Sequence, residues 1–432
     1  MLAPPKIGSR NRPQLEGSVE VEELYMCIVA LLNQWNINSI GKYKIPGAIK
    51  ADMTDAKFLE DTVPDKTCVI VGTRPGIIKM SPIIDELDNR DVDSFIIHAG
   101  QHYSHSLDGQ IFEDLRLDEP DYHLENVKKK THHGEQTAAM LTGIERALLE
   151  EQPENVLVCG DANFNLAGAL AARKLRLTLG HVEAGLRSDD WRMPEEHNRV
   201  MIDHISDYLF APTERAVENA TEDNVKGKVL VTGNTVVDAL QRNLDVARSE
   251  SSVCDDLGVT PGDYVVFTAH REENVDDKST LTDLIEIIER TSEQLNMPVV
   301  YPIHPRTEDR LAKFNLQERI DTIDNLCLVD PLSYLDFIKL LGETALAMTD
   351  SGGIQEEACI MGVPCVTLRE NTERPETVEV GANVIAGTDP DTVLDRTITM
   401  VNADGDWNNP FGDGTASKKI VDTVLSTSDE RV

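Results

Sequence analysis

The sequence predicts an α/β fold made of two Rossmann-like domains that face each other across a cleft, and three observations carry that prediction. Short β-branched runs alternate with longer amphipathic ones from about residue 66, the alternation begins again near residue 264, and Asp350-Ser351-Gly352-Gly353 links an apolar run to a helix-like segment. Such alternation is the pattern of βαβ units in a parallel, doubly wound sheet. The first set of strands is expected at 68–71 (CVIV), 94–97 (SFII), 156–158 (VLV) and 177–179 (LTL). The second is expected at 264–267 (YVVF), 298–301 (PVVY), 345–348 (ALAM) and 365–368 (CVTL). The joint falls near Gly233-Asn234-Thr235, giving an N-terminal domain over 66–234 and a C-terminal domain over 235–414. A last helix over about 415–430 is expected to cross back to the first domain. Residues 1–65 contain Pro4, Pro5, Pro13 and Pro46 and no clear period; they read as a loosely attached extension without assigned chemistry.

With 432 residues and 40% hydrophobic content, the chain is long enough for two or three buried cores. No stretch approaches the roughly 20 apolar residues of a membrane span. The run 25–32 (YMCIVALL) follows Glu20, Glu22 and Glu23 where a secretory signal would carry positive charge, so a cytoplasmic protein is expected. Seven cysteines without a CxxC pair or metal-ligand spacing read as idle thiols in a reducing compartment. The 76 acidic residues against 41 basic ones give a formal charge of −35, which argues against nucleic acid or an anionic membrane as partner. That charge also suggests a halophilic source, since the Debye length falls to about 3 Å in 1 M salt and only local charges then steer a ligand.

Ligands of doubly wound sheets sit outside the carboxyl ends of the strands, so residues directly after strands carry most weight. Ser351-Gly352-Gly353 at a helix start is suited to phosphate: glycine permits close backbone approach, the first-turn N–H groups lack intrahelical partners, and the helix dipole favours an anion. Glu357, one turn on, is placed to accept hydrogen bonds from ribose hydroxyls. Asp161 follows the strand at 155–160, Glu183 follows the strand ending at Val182, and Glu195 follows Pro194 at the start of a helix read as running through Met201, Ile205 and Leu209. If the two strands are neighbours, Asp161 and Glu183 share one crevice. Arg74 ends the first strand and Lys79 lies about one helical turn after Pro75, so both can point at one anion. His270 and Arg271 follow the strand at 265–268, and Arg374 lies beyond the Ser-Gly-Gly helix. Neither a GxGxxG fingerprint nor a Walker loop is present.

Together these segments resemble the non-hydrolysing UDP-N-acetylglucosamine 2-epimerase family, from about Lys66 to Leu425. The resemblance rests on GTRPGIIKMSP (72–82), GQHYS (100–104), HGEQTAAML (133–141), GDANFNLAGALAA (160–172), GHVEAGLRS (180–188), MPEEHNRVMIDHISDYLFAPTE (193–214), TGNTVVDAL (232–240), TAHREEN (268–274), PIHP (302–305), DSGGIQEEA (350–358), RENTERPETVEVG (369–381) and NPFGDGTAS (409–417). The short gap between Arg187 and Pro194 resembles the archaeal branch. Gly76 departs from the family's usual Glu, and Ala162-Asn163 from its usual Thr pair.

The resemblance implies a GT-B-like architecture, shared with glycogen phosphorylase and UDP-glycosyltransferases. It implies reversible inversion at C2, interconverting UDP-GlcNAc and UDP-ManNAc with neither NAD nor a catalytic metal. The route it implies is loss of UDP to a 2-acetamidoglucal intermediate and readdition. By family position Asp161, Glu183 and Glu195 handle protons, with His270 also catalytic. Arg74, His270 and the Ser351-Gly352-Gly353 helix start are expected to stabilise the leaving diphosphate, with Lys79 also among the UDP-binding residues. Phe337 is expected near the uracil, Glu357 on the ribose, and Arg374 by the phosphate or sugar. Bacterial relatives bind a second UDP-GlcNAc as activator around the positions of Gln101, His102, Arg271 and His304, and a homodimer is expected. Other readings of the same residues are a GT-B glycosyltransferase, a hydrolysing epimerase releasing ManNAc and UDP, and a non-catalytic nucleotide-sugar sensor. The glycosyltransferase gives the three acids no common task, and the sensor gives them no reason to be present.

Overall fold

The computed structural model describes residues 66–100, 108–124 and 132–426. Seven strands, β1 (Thr67–Val71), β2 (Ser94–His98), β3 (Tyr122–His123), β4 (Asn155–Cys159), β5 (Thr178–Val182), β6 (Tyr208–Ala211) and β7 (Lys228–Val231), form one parallel sheet. Their order is β3-β2-β1-β4-β5-β6-β7. Six more, β8 (Val265–Thr268), β9 (Val299–Pro302), β10 (Leu326–Val329), β11 (Leu346–Thr349), β12 (Cys365–Thr367) and β13 (Asn383–Ile385), form a second parallel sheet in the order β10-β9-β8-β11-β12-β13. Both sheets start in the middle and reverse direction after their third strand, the doubly wound order whose switch point opens a ligand crevice. In the first sheet that point lies between β1 and β4, in the second between β8 and β11.

β1, β4 and β5 are buried along their whole length, because crossover helices cover both faces of a parallel sheet; β1 and β4 are largely apolar, whereas β5 (TLGHV) carries the buried His181. Each fully buried Val or Ile contributes about 1.5–3 kcal/mol. One apolar cluster continues between the two halves. The helix Thr235–Glu250, capped by Asn234, sets Val236, Ala239 and Leu240 among Ile77, Ile84 and Leu87 of the first half and Tyr334 and Ile338 of the second. The helix Ala416–Ser426 adds Ile420, Val421 and Val424 to this cluster, and Asp422 pairs with Arg90 at 2.6 Å. The Tyr334 amide donates to Asp114 at 2.9 Å and Thr213 to Glu376 at 3.0 Å, so polar ties flank the apolar ones.

One element is shorter than the sequence suggests. The helix that starts at Pro194 stops at Ile205, because Ser206 is extended (φ −79°, ψ 145°) and Asp207 already pairs its amide with the Leu179 carbonyl. Leu209 therefore belongs to β6, and Met201 lies on the solvent side, 45% exposed. Among the described residues no helix is long and apolar enough to cross a membrane. The six described cysteines are free thiols. The extension 1–65 and the tripeptide Lys128-Lys129-Lys130 lie outside the described residues, as do Gln101 and His102.

Candidate active site

The register Cys159↔Val182 makes β4 and β5 direct neighbours, so Asp161 and Glu183 leave the same edge of the sheet. Glu195 stands exposed in the first turn of the helix Pro194–Ile205, with Pro194 at the position where its missing N–H costs nothing. The three acids line one cavity of about 410 Å³ together with Lys79, Cys159, Arg199 and Arg374.

Asp161 is held from that same helix. Arg199 pairs with its carboxylate and Asn198 donates to its backbone carbonyl at 2.8 Å. Asn198 also donates to Asn163 at 3.0 Å, so Asn163, one of the two residues that replace the family's usual Thr pair, enters the support of this acid. Arg199 reaches Glu196 as well, at 3.1 Å, and Glu196 is buried on the Ser188 hydroxyl at 2.7 Å.

Glu183 has a left-handed backbone (φ 63°) and a buried side chain. A non-glycine residue in that region costs on the order of 1–3 kcal/mol and persists only where its surroundings enforce it. Its carboxylate meets Lys79 at 2.5 Å and Arg374 at 3.8 Å. Glu356, 1% exposed, faces the same two cations, Arg374 at 2.5 Å and Lys79 at 3.6 Å. Asn234 donates to both carboxylates, at 3.1 Å to Glu356 and 3.4 Å to Glu183. Two cations and two anions thus form a closed buried network between the two sheets. Burial alone would raise the Glu183 carboxyl, but the charges of Lys79 and Arg374 hold it below the usual carboxylate range. Burial works in the opposite direction on Lys79 and Arg374, and the flanking carboxylates keep both firmly protonated.

A second cavity, of about 400 Å³, adjoins the first, and Pro75 and Lys79 border both. Arg74, His270, His304, Phe337, Ser351, Gly353, Glu356 and Glu357 line it. The helix Gly352–Ile360 begins without a side-chain cap or a first-turn acid, leaving its first amides suited to an anion. His270 reaches Asp350 at 3.1 Å, and Asp350 also accepts from the His270 and Arg271 amides, both at 2.9 Å. Asp350 is fully buried, which would raise its carboxyl, yet these bonds hold it below its ordinary value. The Glu357 carboxyl moves the other way: burial and the adjoining Glu356 push it up to about 7.

The structure therefore separates the expected residues into two groups. Asp161, Glu183, Glu195 and Arg374 belong to the first cavity; Arg74, His270, His304, Phe337, Ser351, Gly353 and Glu357 belong to the second. Lys79 is committed to Glu183 and Glu356 rather than to an anion shared with Arg74, whose guanidinium donates to the Leu332 carbonyl at 3.1 Å. The Arg271 side chain donates to the Asp350 carbonyl at 3.2 Å, away from the three acids.

The sequence model of the family described as UDP-N-acetylglucosamine 2-epimerase matches residues 85–425. The chain belongs to this family. A UDP-N-acetylglucosamine 2-epimerase of Methanococcus maripaludis is 47% identical over 363 residues, 83% of this chain and 98% of that protein. Its counterpart in Methanocaldococcus jannaschii is 48% identical over 359 residues, 82% of this chain and 98% of that one. The crystal structure of the M. jannaschii UDP-GlcNAc 2-epimerase in complex with UDP-GlcNAc and UDP superposes with a TM-score of 0.77 at 47% identity, covering 84% of this chain and 99% of that one. The epimerase fold is GT-B-like, with two parallel-sheet α/β domains, and the family is one of isomerases.

Three polar residues of the site, Arg199, Asn234 and Glu356, are not among those the sequence singles out. Arg199 lies four residues after Glu195 and so on the same helix face, a spacing that alone could have suggested it. Asn234 looks like an ordinary helix cap, and Glu356 is indistinguishable from its neighbour Glu357 until the chain is folded.

Proposed function

We propose that this epimerase inverts C2 of UDP-GlcNAc reversibly to give UDP-ManNAc, with the uridine diphosphate in the Ser-Gly-Gly cavity and the sugar in the cavity of the three acids. The observation that carries this reading is the meeting of the two cavities at Lys79, with proton-handling groups on one side and an anion site on the other. A proton at C2 has no adjacent carbonyl to acidify it, so direct deprotonation is too costly. Elimination answers this: a carboxylate removes the C2 proton, the C1–O bond breaks with its electron pair going to UDP, and a C1=C2 double bond forms. Readdition delivers a proton to the opposite face of C2 while the diphosphate oxygen bonds C1 again.

The family and the geometry support roles for named groups. Asp161, Glu183 and Glu195 provide the proton donors and acceptors needed on two faces, each contributing about 10²–10⁴ in rate. Arg74, His270 and the helix start at Ser351-Gly352-Gly353 stabilise the departing diphosphate, where pre-aimed donors act most strongly, while Lys79 holds Glu183 and Glu356 where the two cavities meet. Glu357 accepts from the ribose, Phe337 packs near the uracil, and Arg374 serves the phosphate or the sugar. Activation by a second UDP-GlcNAc around Arg271 and His304, a homodimer and a cytoplasmic location belong to the same reading on family grounds.

Incubation with UDP-GlcNAc in D₂O, followed by NMR of the sugar, tests it. Deuterium at C2 together with UDP-ManNAc is the expected result. Release of free ManNAc would instead indicate a hydrolysing enzyme, and unlabelled UDP-GlcNAc after long incubation would overturn the proposal.

A further inference from the structure

Beneath the acids lies a second charged relay that the proposed reaction does not use. His181 is the second-last residue of β5, two before Glu183, and its side chain is wholly buried. Its Nδ1 lies 2.7 Å from Asp203 Oδ1, and its Nε2 lies 3.1 Å from the carbonyl oxygen of Gly160. A carbonyl oxygen can only accept a hydrogen bond. An ionised carboxylate can also only accept, so both ring nitrogens must donate and the ring must be an imidazolium. The other oxygen of Asp203 points to its remaining partners, accepting from the Gly185 amide at 3.1 Å and from Arg187 at 2.7 Å. Burial would raise the Asp203 carboxyl, but the bond from His181 and the charges of His181 and Arg187 hold it below its ordinary value, in keeping with an ionised group.

The placement gives the relay a purpose. Residues 181 and 185, which both bond Asp203, flank the strained left-handed turn at Glu183. Gly160, which accepts from His181, immediately precedes Asp161 and is itself left-handed at φ 76°. Asp203 lies one helical turn after Arg199, the partner of Asp161, on the helix that also carries Glu195. A single helix thus carries Glu195, grips Asp161 directly and bonds the residues two before and two after Glu183.

We propose that Asp203 and a doubly protonated His181 form a positioning pair, one that fixes the Gly160–Asp161 and Glu183–Gly185 turns relative to each other. This rests on the assignment of Asp161 and Glu183 as proton-handling groups. The charged groups around the ring are Asp203, then Arg187 and Asp223 behind it, with Glu183 and Asp161 on the cavity side. Loss of the His181 proton leaves either Gly160 or Asp203 without a donor and loosens one of the two turns. The expected result is a fall in turnover without a fall in nucleotide affinity, since the uridine diphosphate site lies in the other cavity.

The test is nitrogen NMR of the full-length protein labelled at histidine, combined with C2 deuterium exchange. The His181 signal is assigned by its absence in His181→Gln, or by its shift in Asp203→Asn where that variant does not fold. In the unmodified enzyme both His181 nitrogens carry a proton at pH 7, as their two acceptors require. In Asp203→Asn the ring keeps one proton, kcat for exchange drops about 10²-fold, and KM and UDP affinity change less than about two-fold. A singly protonated ring in the unmodified enzyme at pH 7 would overturn the proposal. So would an Asp203→Asn variant with full kcat, or one that loses UDP affinity in step with turnover. If the unmodified enzyme shows no exchange, the epimerase reading fails, whereas the two ring nitrogens still decide the imidazolium.

Discussion

Glu357 is the carboxylate of the two cavities whose proton sits near neutrality, and the consequence for folding has a definite sign. Its value rises from 4.5 to about 7 on folding, so the stability it contributes is present below pH 4.5 and is lost as pH climbs through about 7. Glu357→Gln should therefore be more stable than the unmodified protein in urea at pH 8 and indistinguishable from it below about pH 4.5. UDP should counter the effect, because an ionised carboxylate is the better acceptor for ribose hydroxyls. UDP affinity should rise with pH through neutrality more steeply than in Glu357→Gln, which calorimetry can compare directly. Glu183 has the opposite linkage: its carboxyl is depressed, so its stabilisation is present above the unfolded value of 4.5 and disappears as acid protonates it. For Glu356→Gln the prediction is a loss of up to about 3–5 kcal/mol in equilibrium unfolding, since Arg374 and Lys79 would then share one buried carboxylate. An unchanged unfolding midpoint would show that the network adds nothing to stability.

At the scale of elements, glycines separate what the fold requires from what a ligand requires. A side chain at Gly72 would come within 2.8 Å of the Gly100 amide, so the protein itself demands glycine there. At Gly352 and Gly353 an added methyl group would meet nothing nearer than 3.7 Å and 3.9 Å, ordinary contact distances. Gly353→Ala should therefore be as stable as the unmodified protein, or more so by up to about 1 kcal/mol, while UDP affinity falls. Equal affinity would remove the anion role from this helix start. The element scale also shows what the sequence makes legible. β1, β4 and β8 each carry three or more consecutive apolar residues buried on both faces, and such runs stand out. The two-residue β3 and the half-exposed β7 and β10 offer too little periodicity to detect. The apolar spacing of the helix Pro194–Ile205 continues to Leu209, which makes the helix look longer in the sequence than it is, although that side chain is buried from a strand. Asp161 and Glu183 could be paired from strand order alone. The partnership of Glu183 with Glu356 could not, since it joins residues from the two separate sheets.

Across the whole molecule the formal charge of −35 works against compaction at low ionic strength. The thermal midpoint should rise by several degrees between 0.1 M and 2 M KCl, and a midpoint independent of salt would contradict the halophilic reading. The buried cation–carboxylate network should respond little to salt, being shielded from solvent, so the gain is expected to come from the surface. The two sheets, each reversing direction beside its central strand, bring the helix start at Ser351-Gly352-Gly353, the proposed anion site, to a cavity that adjoins the one lined by the three acids. In the proposed function, that arrangement suits the fold to breaking and remaking a sugar–diphosphate bond. Its most direct test is a crystal structure of Asp161→Asn soaked with UDP-GlcNAc. The account predicts uridine diphosphate against Ser351-Gly352-Gly353 and C2 of the pyranose within about 3–3.5 Å of a carboxylate of Glu183 or Glu195. A pyranose ring lying outside the cavity of the three acids would contradict it.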